Sequence, residues 1–293
     1  MSNYDIIDVS QWERDVNTGK GTKEKRMLVQ PHSRRLVMFK EPAEGSGDVW
    51  SEKIASEIGK ACGFNVHEVE IGVANGVYGA LAYWFLGRGD ELLEGVDLIK
   101  EEGHEFDEWK RTGYNLQLIQ GVLTNHIEDP VEKFLEIVVF DALIGNTDRH
   151  SQNWGVVKLA DGTKVLAPAY DNSSSLGREF NSNLNKVTAR LKDKNLFVEY
   201  CHAKKGSYLI GWNEQQRIPH LDYIKLLHEV YPEVVKKHVD RLIVLKPSTI
   251  KTIIEKIPNE VMSDTLKEFV NKFLNYRVDY ILKLINRSNY GTE

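Results

Sequence analysis

A chain of 293 residues with 41% hydrophobic and 28% charged side chains is long enough for two lobes with their own cores, and its balance is that of a soluble globular protein. The formal net charge of -5 gives no electrostatic case for nucleic acid as the main ligand. No apolar run approaches the ~20 residues that spanning a bilayer requires, Met1 to Asp8 lack the pattern of a signal peptide, and Cys62 and Cys201 lie too far apart for a metal-type pair, so a cytoplasmic, reducing setting without a membrane partner is expected.

The chain opens with strand-like runs around a turn rich in Gly and Lys: Val16-Asn-Thr-Gly19-Lys-Gly21-Thr22-Lys23-Glu-Lys25, then Arg26 to Gln30, then Leu36-Val-Met-Phe-Lys40. Gly19 and Gly21 let a backbone approach a ligand closely, and successive N–H groups beside lysines cradle phosphate oxygens. The same composition also serves a solvated hairpin loop, and it is not a Walker A pattern. Past the breakers of Glu41 to Gly47, Asp48 is expected to cap a helix that runs to about Cys62 and ends at Gly63. Its apolar face is Ile54, Ala55 and Ile58, with Glu52 and Glu57 off that face. In kinases a strand lysine holds the nucleotide phosphates and pairs with a helix glutamate, and Lys40 with Glu52 would fill those places. A surface lysine and a first-turn acid at a helix dipole are the plainer alternative.

Val66 to Ile71 and Val77 to Leu86 read as strands flanking the Asn75-Gly76 turn signal. The second would lead from one lobe to the next, which makes Tyr83 to Leu86, and Phe85 and Leu86 in particular, the expected contact for an adenine ring. Beyond about residue 90 the pattern turns helical. Asp129 can cap and Pro130 suits the first position of a helix carrying Val131, Phe134, Leu135, Val138 and Ala142, apolar nearly all round and so buried. That helix delivers Asp148 at its C-terminal end.

The densest signal follows: Leu143-Ile-Gly-Asn-Thr-Asp148-Arg-His150-Ser-Gln-Asn153-Trp, closed by Ala167-Pro-Ala-Tyr-Asp171. An Asp, an Asn five residues on and a later Asp repeat the order used for phosphoryl transfer, in which the first orients the acceptor hydroxyl and the other two hold magnesium. Gly155 to Leu159 and Lys164 to Pro168 flank Ala160-Asp-Gly-Thr163, a hairpin signal. A hairpin returns Asp171 to Asn153, as two ligands of one cation require. Turn and cap roles for each residue taken singly are the alternative. From Asn172 to about residue 207 there is little hydrophobic pattern, as in a substrate loop or a solvated connection. Short helices are then expected over Leu221 to Val230, Pro232 to Leu245 and Ser248 to Ile257, before a long one capped at Ser263 with a core stripe from Leu266 to Ile285.

These residues resemble the C-terminal kinase region of HipA-like serine/threonine kinases. The likeness rests on Gly21 to Lys25, Leu36 to Lys40, Ser51-Glu52, Ile144-Gly-Asn-Thr-Asp148-Arg-His150-Ser-Gln-Asn153 and Leu166-Ala-Pro-Ala-Tyr-Asp171, and covers most of the chain. It implies an α+β, two-lobed protein-kinase-like fold, with a small β-rich N-lobe over residues 1–88 and a larger, mostly α-helical C-lobe over 89–293. It also implies ATP with Mg2+ and transfer to a serine or threonine of a protein substrate. Asp148 would be the catalytic base, with His150 as a support of its loop. Asn153 and Asp171 would hold the metal, Lys40 the phosphates, and Gly21, Thr22, Lys23 and Lys25 would form the phosphate loop. Thr18 or Thr22, or a nearby serine, would be the site of autophosphorylation.

Two departures from that family stand out. The phosphate loop starts about twenty residues from Met1, so the N-terminal subdomain with which some members meet an antitoxin is not expected, nor is an antitoxin partner. Asn172-Ser173 follow the metal Asp where many kinases have glycine. Rival readings of the same residues are a lipid kinase, a nucleotidyl transferase and a catalytically silent partner-binding module.

Overall fold

The computed structural model describes residues 2–15, 25–103, 113–202, 208–213 and 215–287. A six-stranded sheet in the order β1-β5-β6-β4-β3-β2 makes up the first part. Its strands are β1 (Ile6–Asp8), β2 (Glu13–Arg14), β3 (Lys25–Val29), β4 (Leu36–Lys40), β5 (Val69–Ala74) and β6 (Val77–Tyr83), antiparallel except where β1 runs parallel to β5. Alternation along β4 sends Val37 and Phe39 into one core with Leu28, Leu81 and Tyr83 and leaves Met38 and Lys40 on the other face. Helix α1 (Asp48–Ala61) lies there, burying Ile54, Ala55 and Ile58. Asn75 and Gly76 both take positive φ, 50° and 82°, as a two-residue hairpin of β5 and β6 needs.

The rest is helical around one hairpin. Strand β7 (Glu91–Glu94) precedes α2 (Gly95–Glu101), α3 (Leu116–Thr124) and α4 (Pro130–Ile144). Next come β8 (Gly155–Lys158) and β9 (Lys164–Leu166), and β7 pairs with β8 to make a three-stranded sheet. Then follow α5 (Leu184–Lys192), α6 (Lys194–Cys201), α7 (His220–Val230), α8 (Pro232–Asp240), α9 (Pro247–Glu255) and α10 (Asp264–Arg287). Phe134, Phe140 and Leu143 of α4 meet Phe269, Phe273 and Leu274 of α10 in one continuous core. The fold is thus α+β, a sheet-rich half joined to a helical half. No described helix is long and apolar enough to cross a membrane. Cys62 and Cys201 are free and buried, and burial pushes each thiol up to about 12.

Several local expectations are corrected. Gly47, not Asp48, is the cap of α1, and Asp48 as the first helical residue instead accepts from the Ala43 amide at 2.9 Å and Ser46 Oγ at 2.7 Å. Asp129 does stand at the cap of α4 with Pro130 first in the helix, as expected, but in a left-handed conformation, φ 50°, with no side-chain capping bond. Ser263 accepts the Lys267 amide through its carbonyl, while its hydroxyl is buried without a partner among the described residues. Glu91 to Glu94 form a strand where the helical region was expected to start, because Leu92 and Leu93 pair with Val157 and Val156 of β8. The weakly patterned segment after Asn172 holds α5 and α6. Their buried anchors are few, Val187, Phe197 and Cys201, which is why periodicity did not reveal them.

Candidate active site

Lys40 ends β4 with its Nζ 2.7 Å from Glu52 Oε1 on α1 and 3.2 Å from Asp171 Oδ1 beyond the hairpin. Burial alone would lower the lysine, but the two carboxylates overcome that and hold it charged, above its ordinary value. Lys40, together with Lys25 at 3.6 Å, holds the Asp171 carboxyl well below the usual range against the opposing effect of burial. Glu52 is raised, since burial outweighs the Lys40 charge. One ammonium therefore ties strand, helix and post-hairpin segment together. Ser51, one residue before Glu52, adds a second tie, its hydroxyl lying 3.0 Å from the Ser173 carbonyl and 2.9 Å from that of Ser175.

The loop that carries Asp148 begins where α4 stops. Gly145 turns left-handed there, φ 69°, and a Cβ would stand 3.0 Å from the Phe273 ring. Only a residue without a side chain makes that turn cheaply. Asn146 then accepts the Asp148 amide through Oδ1 at 3.1 Å and donates Nδ2 to Asp141 Oδ1 at 2.9 Å. The Asn153 side chain donates to the Asp148 carbonyl at 2.8 Å, which leaves its own Oδ1 without a hydrogen bond from any described residue. The His150 ring meets the Gln152 amide through Nδ1 at 3.2 Å, and its field reaches Asp171.

Arg149 is the centre that sequence reasoning passed over. Its side chain is fully buried, paired at two points with Asp141 of α4 and at 2.7 Å with Asn172 Oδ1. Its Nη1 also donates to the Asn153 carbonyl at 2.7 Å and the Tyr170 carbonyl at 2.6 Å. A single nitrogen thus pins both ends of the hairpin, and Asn153 and Asp171 are brought to one place by it. Tyr208 Oη on Asp141 at 2.8 Å and Tyr114 Oη on the Arg149 carbonyl at 3.0 Å complete the cluster. The available signal was the arginine of the Asp148-Arg-His150 motif and an aspartate in an otherwise apolar helix. A buried charge of either kind demands its opposite.

The link between the halves passes through Phe85. It packs edge-on to His67 at 5.2 Å and against Tyr170 at 5.7 Å. Among the described residues none hydrogen-bonds to the backbone of Phe85 or Leu86, and both side chains are half-buried. His67 donates or accepts at the Tyr83 carbonyl at 2.6 Å and is pushed down to about 4, by burial first and then by the Lys40 charge. Gly21, Thr22 and Lys23, with Thr18, lie outside the described residues, and of the expected phosphate loop only Lys25 lies within them.

Hard oxygen donors suit a magnesium-bound nucleotide, and the residues present fit it. Asp171 is ionised, the Asn153 amide oxygen is uncommitted, and Lys40 would supply positive charge for phosphates. No group of three or more His, Cys, Asp or Glu able to hold a metal ion occurs among the described residues. A pair made of one amide and one carboxylate falls below that count, and such a pair would hold a hard cation through its two oxygens.

The HipA-like C-terminal domain matches residues 17–242. The chain belongs to that family. Serine/threonine-protein kinase CtkA of Helicobacter pylori is 24% identical over 297 residues, spanning 94% of this chain and 86% of its own. The crystal structure of that H. pylori proinflammatory kinase aligns with a TM-score of 0.82 at 21% identity, over 98% of this chain and 99% of that one. HipA of Shewanella oneidensis MR-1, solved with HipB and operator DNA, aligns with a TM-score of 0.59 at 13% identity, over 95% of this chain and 69% of that one.

Proposed function

We propose that the protein is an ATP-dependent serine/threonine protein kinase of HipA-like type, with its N-lobe ending near residue 88 and its C-lobe following from 89. The observation that carries the reading is Lys40 held at once by Glu52 and Asp171, at 2.7 and 3.2 Å. A strand lysine kept charged between a helix acid and a metal-type acid is the arrangement that phosphoryl transfer needs. Bound ATP and Mg2+ would supply the γ-phosphoryl group and neutralise its charge. Asn153 and Asp171 would hold the metal, Lys40 and Lys25 the phosphates, and the free backbone groups of Phe85 and Leu86 the adenine edge. Asp148 would orient the serine or threonine hydroxyl and accept its proton, on a loop that Asn146, His150 and Arg149 keep in place. Such a site acts by positioning and charge stabilisation. Thr18 or Thr22, or a nearby serine, is proposed as the autophosphorylated position, where added negative charge would repel ATP phosphates. Mass spectrometry of residues 10–35 after incubation with Mg-ATP tests that point.

The test of the whole is incubation with ATP labelled on the γ- or the α-phosphate, using wild type, Asp148→Ala and Asp171→Ala. Labelling from the γ position alone is expected in wild type, with a fall of about 10³-fold in both variants. Equal labelling of all three ends the assignment, and label from the α position makes the protein a nucleotidyl transferase.

A further inference from the structure

Beside the catalytic loop, on the face made by the segment after Asp171 with α5, α6 and α10, a cavity of about 640 Å³ opens. Ser174 lines it together with Thr147, the residue that precedes Asp148 in the chain. Arg277 of α10 lines it, only 4% exposed. Its Nη1 donates to the Ala142 carbonyl at 3.0 Å and its guanidinium lies 4.9 Å from the Phe273 ring. Its Nε is buried with no hydrogen-bond partner, and no carboxylate pairs with it among the described residues. Burial lowers the guanidinium, and the groups acting against that are Cys201, Tyr200 and Tyr276, none of them a carboxylate. A buried cation normally has a counter-charge, because the loss of hydration is otherwise uncompensated.

The same cavity gathers further positive charge. Arg190 lines it with a buried Nε that also lacks a partner, though its Nη1 donates to the Lys186 carbonyl at 3.0 Å. Lys186 is exposed, and no described acid pairs with its ammonium. Arg178 is already paired with Asp48. Of the two acids on the lining, Glu179 accepts from Tyr200 Oη at 3.0 Å, and both Glu179 and Glu199 are exposed. Four basic side chains therefore outnumber two acids on the lining, and its buried member Arg277 is incompletely hydrogen-bonded, among the rings of Phe180, Tyr200 and Phe273.

We propose that this cavity takes an oxyanion carried by the acceptor polypeptide, a carboxylate or a phosphate monoester on a side chain near the hydroxyl presented to Asp148. The proposal rests on the kinase reading for the word acceptor, and on Arg277 for the ligand's charge. Guanidinium groups recognise both oxyanions through paired N–H donors, and the aromatic walls accept the carbon stem. Acceptor choice is then set at two places, the hydroxyl at Asp148 and an acidic neighbour at Arg277.

Fluorescence anisotropy without nucleotide tests it, using labelled serine peptides that differ only in whether the flanking positions carry Gln, Glu or phosphoserine. Glu or phosphoserine peptides are expected to bind wild type about ten-fold or more tighter than the Gln peptide, and the tighter of the two identifies the source of the oxyanion. Lys186→Glu, a surface change, is expected to remove most of that preference, and Arg277→Lys to weaken it while keeping the charge. Equal affinity for all three peptides overturns the proposal, as does an unchanged preference in Lys186→Glu with a native circular dichroism spectrum. Charge-selective binding in a protein that transfers no phosphate upholds the cavity and removes the kinase reading.

Discussion

Arg149 and Asp141 form a two-point ion pair, Nε to Oδ2 at 2.9 Å and Nη2 to Oδ1 at 2.7 Å, with neither side chain exposed. Burial alone would lower the guanidinium, and Asp141 more than offsets it, so Arg149 stays charged. Every donor of its fork is spent on structure: Asp141, Asn172 and the carbonyls of Asn153 and Tyr170. Arg149 reaches Asn153 and the segment leading to Asp171 only through the backbone that it fixes. It is a positioning residue.

Arg149→Met is accordingly expected to lose about 3–5 kcal/mol of stability, because it leaves the Asp141 carboxylate buried without its partner. Arg149→Lys should recover only part of this, since an ammonium cannot serve four acceptors in one plane. Urea unfolding at neutral pH measures both. A loss below about 1 kcal/mol in Arg149→Met, within the range of a surface pair, would remove the arginine from the centre of the site.

His67 sets an acid dependence. Its folded value is pushed down to about 4, while an unfolded histidine titrates near 6.5. As pH falls below 6.5 the unfolded chain binds a proton that the folded one refuses, so stability drops until about pH 4 and no further. Between pH 7 and pH 5 this one group costs about 2 kcal/mol. Urea midpoints at the two pH values should differ by correspondingly less in His67→Gln than in wild type. An identical pH slope in the two proteins contradicts the assignment.

The strand lysine, its helix partner and the hairpin were legible because each depends on local chemistry. Alternation fixed the face of Lys40, the Asp161-Gly162 turn fixed the hairpin, and Asn75-Gly76 fixed another. Arg149 and Ser51 were not legible in the same way. Their partners lie far along the chain, at Asn172 and Tyr170 for the one and Ser173 and Ser175 for the other, and no periodicity reports such contacts. The cap choice at Asp48 failed for a related reason. Asp48 is drawn to the Ala43 amide, Ser46 and Arg178, which compete with its own helix for the carboxylate.

Phe85 joins the halves through His67 and Tyr170 and stands where the adenine is proposed to lie. Truncation to alanine removes two ring contacts, each worth about 0.5–1.5 kcal/mol. Phe85→Ala is expected to raise the KM for ATP about ten-fold with a smaller change in kcat, because the contact is made equally in ground and transition states. An equal fall in kcat at unchanged KM would place Phe85 with the catalytic loop instead.

Asp171 offers the sharpest test of the metal assignment. Lys40 first, then Lys25, holds its carboxyl below the usual carboxylate range, so it enters any nucleotide complex already ionised. Its contribution to stability is present above the unfolded value near 3.9 and is lost only as pH falls through the lower folded value. The acid limb of a rate profile near pH 6 would therefore not come from Asp171. Asp171→Asn keeps the shape and removes the charge, while Glu52 still holds Lys40 at 2.7 Å, so the fold should persist. With ATP saturating, the Mg2+ concentration giving half-maximal rate should rise about ten-fold, and the maximal rate should fall about 10²- to 10³-fold. Asn153→Ala should move the same midpoint in the same direction, since Arg149 holds the two proposed ligands to one place. A variant that loses rate with its Mg2+ midpoint unchanged would make Asp171 a partner of Lys40 alone, and the metal would have to be held elsewhere.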